Sequence, residues 1–268
     1  MRIALLTDVF KHAPLTEALA AIRRAGFDAI ELNACYNWDP HIDFASEQAE
    51  REVALLARLL EQYRLTLAAV AVYPNIASLD AGERQRAVRM CCRAIDLLSP
   101  LGCPLLTLMP YGSNLLPYAP QEQALVASLQ AICARAERCG MRVAIEVYPG
   151  NFIEESATLL ALIERLGLPS LGYLLCVAHV AALGEDVLAT YQAAKPRLFH
   201  IHVSDTPLRT LDHKHLLPGL GEVDLAALAR ALRADRYDGT LTLQIYSHED
   251  TAEQSSAEGL KLMRALFG

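Results

Sequence analysis

Short apolar runs alternate along this chain with segments whose apolar residues recur every three to four positions. The runs fall at 3–7, 29–32, 67–72, 105–109, 143–146, 172–176, 198–203 and 241–245. Each is of strand length, and their near-continuous apolar character suits strands buried on both faces. The intervening segments predict helices at 14–25, 47–63, 81–98, 121–139, 156–166, 187–194, 225–233 and 252–267. In the first of these, Ala18, Leu19, Ile22 and Ala25 make the apolar stripe, and Gly26 suits the helix C-cap. Gly140 and Gly167 close two others in the same way. Strand–helix alternation repeated eight times predicts an α/β protein with a parallel sheet closed into a single (β/α)8 barrel. The alternative is an open doubly wound sheet. No linker or low-complexity segment divides the chain, so one domain is expected over residues 1–268.

The barrel directs the search for chemistry, because the loops that follow its strands gather on one face and carry the active site. The longest stretches after predicted strands are 33–46, 110–120 and 204–224. Glu146, Cys176, His202 and Gln244 stand near the ends of the later strands. A strand-end Glu is costly to bury without a partner, which favours a functional role for Glu146 over a structural ion pair. His202 reads either as a ligand or as a core histidine bonded to a carbonyl. His200 shares its strand parity and points the same way. Cys176 reads more readily as a small buried hydrophobe than as a ligand. His179 falls in the loop after its strand. Asp205, Arg209, Asp212, His213 and His215 crowd one loop, which suits a site wall that contacts hydroxyls or a carboxylate; the alternative is a solvated loop. Trp38, the only tryptophan, lies with Tyr36 in the second loop, and Glu31 ends the second strand.

Composition narrows the function. A chain of 268 residues, 53% hydrophobic and 21% charged, is ordinary for a globular protein with a large core. A net charge of -7 argues against nucleic acid or an anionic membrane as partner. No uncharged apolar stretch of about 18 residues is present, and the first residues lack a signal-peptide pattern. The seven cysteines form no CxxC pair, and most read as buried thiols. Together these features predict a cytoplasmic protein. Neither a GxGxxG fingerprint nor a Walker loop appears.

Several segments resemble the xylose-isomerase-like barrels, a superfamily of sugar isomerases, keto-sugar epimerases, related dehydratases and endonuclease IV. Ala21-Ile22-Arg23-Arg24-Ala25-Gly26-Phe27-Asp28-Ala29-Ile30-Glu31-Leu32 is similar to the family's opening helix and second strand. Ser78-Leu79-Asp80 through Arg84, with Leu101-Gly102, resembles its third helix, and Ala144-Ile145-Glu146 the strand that ends in a metal-binding Glu. Phe199-His200-Ile201-His202-Val203-Ser204-Asp205 resembles its HxHxxD strand end. Leu217-Pro218-Gly219-Leu220-Gly221-Glu222-Val223-Asp224 resembles its PGxGxxD loop. The motifs keep their order over essentially the whole chain.

The resemblance implies a small-molecule enzyme acting on a polyhydroxylated, carbohydrate-like carbonyl compound, with pairing into homo-oligomers common in the family. It implies a divalent cation held by Glu, Asp, His and Glu from four strand ends. Carried over, these become Glu146, Cys176, His202 and Gln244, with two departures from the pattern. Cys in place of Asp favours Zn²⁺ or Fe²⁺ over the hard Mn²⁺ or Mg²⁺. Three readings stay open: a softer metal through Glu146, Cys176 and His202, a weakly held hard metal, or no metal at all. Gln in place of Glu removes a proton-transfer group, since an amide only hydrogen-bonds at neutral pH. Two-carboxylate 3-epimerisation is therefore disfavoured. Glu146 as sole base, with Gln244 placing a hydroxyl, suits isomerisation or elimination. His179, Asp205, Arg209, His215 and Trp38 are the expected substrate contacts. A dehydratase, or a sugar-binding barrel that has lost its metal and its catalysis, are the alternatives. Only His215 keeps the spacing of the endonuclease's additional ligands, which argues against a three-metal site.

Overall fold

The computed structural model describes residues 1–36, 38–210 and 214–268. Its strands are β1 (Arg2–Leu6), β2 (Ala29–Asn33), β3 (Thr66–Ala71), β4 (Leu105–Leu108), β5 (Arg142–Ile145), β6 (Leu171–Cys176), β7 (Leu198–Val203) and β8 (Thr240–Leu243). They pair in parallel in sequence order, and β8 closes onto β1 with Leu5 opposite Leu243. The predicted (β/α)8 barrel is therefore the observed fold.

Side chains alternate in and out along every strand with period two. The outward positions carry bulky aliphatics, among them Leu5, Ile30, Val70, Leu106, Val143, Leu175, Ile201 and Leu241, all inside one large core under the helices. The inward positions at the base of the barrel mix small and larger residues, with Ala4, Ala29, Ala69 and Ala144 buried beside Leu105 and Leu174. Glu31, Thr107, His200, His202 and Thr242 form a polar layer above them, each 2% exposed or less. That polar layer is the floor of the candidate site.

The covering helices are α1 (Leu15–Arg24), α2 (Ala49–Tyr63), α3 (Ala81–Leu98), α4 (Tyr118–Arg138), α5 (Ser156–Leu166), α6 (Val177–Ala182), α7 (Val187–Ala194), α8 (Leu225–Ala234) and α9 (Ala252–Phe267). Three have aspartate N-caps: Asp80 accepts from the Glu83 amide, Asp186 from Ala189 and Asp224 from Ala227. Gly167 ends α5 with φ +58°, as the sequence pattern predicts. Helix α6 corrects the sequence reading. It begins directly on the last residue of β6 and carries His179, which therefore sits on a helix rather than in a loop. Six residues are too few to show a helical period between two apolar segments. No helix among the described residues is long and apolar enough to cross a membrane.

Gly172, inside β6, shows how tightly the barrel base is packed. A Cβ there would lie 2.3 Å from the Phe199 ring and 2.6 Å from the Arg197 carbonyl oxygen. The carbonyl is backbone and cannot swing aside, so Gly172→Ala should destabilise the fold by about 1–3 kcal/mol through overpacking. Urea unfolding of the two proteins measures this, and an unchanged midpoint would contradict the packing.

Candidate active site

The floor of the site is organised by Glu31. Its Oε1 accepts from the Thr107 hydroxyl at 2.8 Å. Its Oε2 takes the Nε2–H groups of His200 at 2.9 Å and His202 at 3.0 Å. His200 Nε2 also lies 2.8 Å from the Thr242 hydroxyl. Burial alone would raise the Glu31 pKa, but the charges and hydrogen bonds of His202 and His200 outweigh it and hold the carboxyl well below the usual range. Burial likewise works against a charged His202. The neighbouring Glu31, with Glu146 and Asp8 further off, overcomes it and pushes the His202 pKa up to about 9.

Around this floor the structure brings the four strand-end residues together. Ligand atoms of Glu146, Cys176 and His202 all lie within 4.8 Å of one another. The Cys176 thiol is 3.9 Å from Gln244 Oε1. Neighbouring strands set the positions: the Glu146 amide donates to the Leu108 carbonyl, and the Gln244 amide to that of Val203.

Two atoms in the group are buried with no hydrogen-bond partner: His202 Nδ1 and Glu146 Oε2. Glu146 Oε2 does lie 3.0 Å from His179 Nδ1. That N–H is directed at the Val147 carbonyl, 3.1 Å away, so the carboxylate gains charge contact without a hydrogen bond. Burial pushes the Glu146 pKa up, yet His179 and His202 bring it below its ordinary value. The Cys176 pKa is driven well above the usual thiol value, by burial first and then by the Glu146 charge.

The unpartnered donors test the implied cation. A ring nitrogen, a carboxylate oxygen and a sulfur converge, and the other nitrogen of the His202 ring is held by a carboxylate. That is the arrangement in which metal-ligating histidines are usually oriented. The donors fit a divalent ion, whose binding would displace the Cys176 and His202 protons. Two further groups share these residues. Glu31, His200 and His202 already satisfy one another. Cys176, His179 and His215 form the other.

Above the floor opens a cavity of about 120 Å³, lined by Asp8, Cys35, Trp38, Tyr73, Glu146, Tyr148, His179, Gln244 and Tyr246, among others. At roughly 10–15 Å³ per water-sized group, this is the scale of a monosaccharide. Trp38 stands at its mouth, edge-on to Tyr246 at 5.6 Å, with the Lys11 ammonium 3.7 Å from its ring centre. Lys11 is itself paired with Glu249 at 2.6 Å. Among the described residues no arginine or lysine lines the cavity.

The loop residues expected at the substrate wall divide. Trp38 and His179 line the cavity. His215 is placed behind His179: their Nε2 atoms are 3.3 Å apart, and its Nδ1 lies 3.0 Å from the Ser204 hydroxyl. Asp205 turns away from the cavity. Its carboxylate accepts from the amides of Thr206, Gly219 and Val223, and so holds the 217–224 loop in shape. Arg209 is exposed, with its side chain over Gly184. Asp212 and His213 lie outside the described residues. The sequence reading missed Asp8, Tyr73, Tyr148 and Tyr246 as cavity residues. Asp8 had a signal, because it stands just past an apolar strand on the catalytic face. The tyrosines had none, since their contacts depend on how the loops fold back.

The chain belongs to the xylose isomerase-like TIM barrel family, whose sequence profile matches residues 19–266. Its relatives are dehydratases, isomerases and epimerases. It is 26% identical to a 3-dehydroshikimate dehydratase of Pseudomonas putida over 96% of its own length, but spans only 40% of that longer protein. It is 26% identical to a putative hydroxypyruvate isomerase of Streptomyces coelicolor, covering 93% of this chain and 92% of the relative. A ketose 3-epimerase of Arthrobacter globiformis is 25% identical, over 93% and 84% of the two chains. The same fold recurs in a D-psicose 3-epimerase solved in the presence of D-fructose, with a TM-score of 0.82 at 18% identity and full coverage of both chains. It recurs in the IOLI protein with a bound zinc atom, with a TM-score of 0.82, 18% identity, and coverage of 100% and 98%.

Removing the Glu31 charge tests the floor. Glu31→Gln leaves two buried histidines without their anion and should cost about 3–5 kcal/mol in metal-free protein at neutral pH. The pH dependence has a definite sign. The His202 contribution, from a raised pKa, is complete below 6.5 and is lost as pH rises through about 9. That of Glu31, from a lowered pKa, is present above 4.5 and is lost as pH falls through its folded value. Stability of wild type minus variant, followed by urea unfolding across pH, should therefore be largest between these limits. A flat difference would contradict the pairing.

Proposed function

We propose that this chain is a sugar isomerase- or epimerase-type enzyme that removes a proton from the carbon next to the carbonyl of a small, uncharged, polyhydroxylated substrate. The supporting observation is the cavity. It is walled by aromatic rings and hydroxyls, and the buried carboxylate of Glu146 reaches it close to His179 and His202. Glu146 lines the cavity and its carboxyl is held below its ordinary pKa, so it stands ionised at neutral pH, as a base must. His179 and His202 keep it ionised, and Tyr73, Tyr148 and Gln244 are placed to bind hydroxyls. Trp38 and Tyr246 offer flat apolar surface to the substrate's C–H face.

A neutral substrate is favoured over a carboxylate because no lysine or arginine lines the cavity among the described residues, and Lys11, beside the Trp38 ring, is already paired with Glu249. A carboxylated substrate such as the dehydratase relative's name implies would need an arginine or lysine that the described lining lacks. The cation would be held by Glu146, Cys176 and His202, and when bound it supplies Lewis-acid stabilisation of the negative charge that develops on the carbonyl oxygen. Cys176 biases that ion toward Zn²⁺ or Fe²⁺.

Two measurements test this reading. Cys176→Asp should shift metal content, measured by elemental analysis of protein purified without chelator, from Zn²⁺ or Fe²⁺ toward Mn²⁺ or Mg²⁺. An unchanged content would remove Cys176 from the ligand set. Glu146→Gln should slow exchange of the substrate's α-proton with deuterated solvent by at least the 10²–10⁴-fold typical of a lost general base. Exchange at the wild-type rate in that variant would end the assignment of Glu146 as the base.

A further inference from the structure

The cavity contains a second carboxyl group that the mechanism above does not use. Asp8 follows β1 and Glu146 follows β5. In a closed ring of eight strands these two lie diametrically opposite, so the two carboxyls approach the cavity from facing walls. Asp8 is only 2% exposed. Its Oδ2 receives a long hydrogen bond, 3.4 Å, from Gln244 Nε2, and its Oδ1 is buried with no hydrogen-bond partner. No lysine or arginine pairs with it among the described residues. An ion in such a place is costly, and a neutral acid is not.

The sequence context explains why a carboxyl stands there. The fourth carboxylate position that the resemblance implies, at the end of β8, is Gln244 in this chain. Strand β1 is the hydrogen-bonded neighbour of β8. Gln244 turns its amide N–H toward Asp8, so the missing carboxyl reappears one strand away and on the same side of the cavity.

We propose that Asp8 is the second proton-transfer residue of this site: Glu146 removes a proton from one face of the carbon next to the carbonyl, and Asp8 delivers one to the opposite face, so that the reaction is an epimerisation. The proposal rests on the function proposed above. In the first half-reaction the Glu146 carboxylate takes the proton, the C–H electron pair becomes the C=C bond of an enediolate, and the carbonyl π pair moves to oxygen. In the second, the oxygen lone pair restores C=O, and the C=C pair takes the proton from the Asp8 acid to form a C–H bond of inverted configuration. Asp8 ends as the carboxylate and Glu146 as the acid. Exchange with water, or turnover in the reverse direction, resets the pair.

The test compares wild type, Asp8→Asn and Glu146→Gln in deuterated water, loaded with their metal, on the four D-ketohexoses. Deuterium at C3 and C3 configuration are both read by NMR. Wild type should produce the C3 epimer carrying one solvent deuterium at the inverted carbon. Asp8→Asn is isosteric and leaves Glu146 in place. It should lower epimer formation at least 100-fold, while deuterium still washes into C3 of the recovered starting sugar. Epimer formation by Asp8→Asn within about threefold of wild type would overturn the proposal and leave the function intact. Loss of wash-in together with inversion would also overturn it, because Asp8 would then act by positioning Gln244. No wash-in by wild type on any of the four sugars would overturn the ketose reading itself and Asp8's role with it.

Discussion

The buried Glu31 carboxylate is the interaction on which the rest of the site depends. It brings two histidines from β7 onto one oxygen and a threonine from β4 onto the other, across the width of the barrel. An unpaired ion at this depth would cost several kcal/mol, and so would an unpaired imidazolium. Together they stabilise one another. The consequence reaches upward: with Nε2 of His202 fixed below, its Nδ1 is aimed toward Glu146 and Cys176. Ligand direction in the upper layer is thus set by charge pairing in the layer beneath.

Two residues of the upper layer, Cys176 and Gln244, stand where the resemblance implies carboxylates, and each has a chemistry of its own. Cys176 brings a sulfur whose proton is held tightly by burial and by Glu146, so the thiolate exists only when a cation displaces that proton. Gln244 removes a charge from the β8 end and links its amide to Asp8. Proton transfer needs a carboxyl within reach and does not specify which strand supplies it.

The mouth is built from a different principle. Trp38 and Tyr246 meet edge to face, Lys11 covers the outer side of the indole, and Glu249 neutralises the lysine. The result is an apolar, uncharged entrance above a charged floor. Asp205 works at one remove from it: by gathering three backbone amides it keeps the 217–224 loop closed without contacting the cavity.

Much of this was legible in the sequence by itself. The eight apolar runs, the glycines that close helices and the longer loops after strands determined the barrel, because burial on both faces of a parallel sheet leaves a pattern that one sequence records locally. The barrel in turn placed Glu146, Cys176, His202 and Gln244 at adjacent strand ends, and the structure brings them together. What only the tertiary structure decided is how side chains far apart in sequence meet. Glu31 lies 169 residues from His200, and Gln244 lies 236 from Asp8. Asp205, Arg209 and His215 looked alike as polar residues of one loop, yet one ties backbone, one faces solvent and one stands behind His179. Residue type gives what a side chain can do. Which of those possibilities is realised depends on which hydrogen-bond partners the closed barrel leaves within about 3 Å.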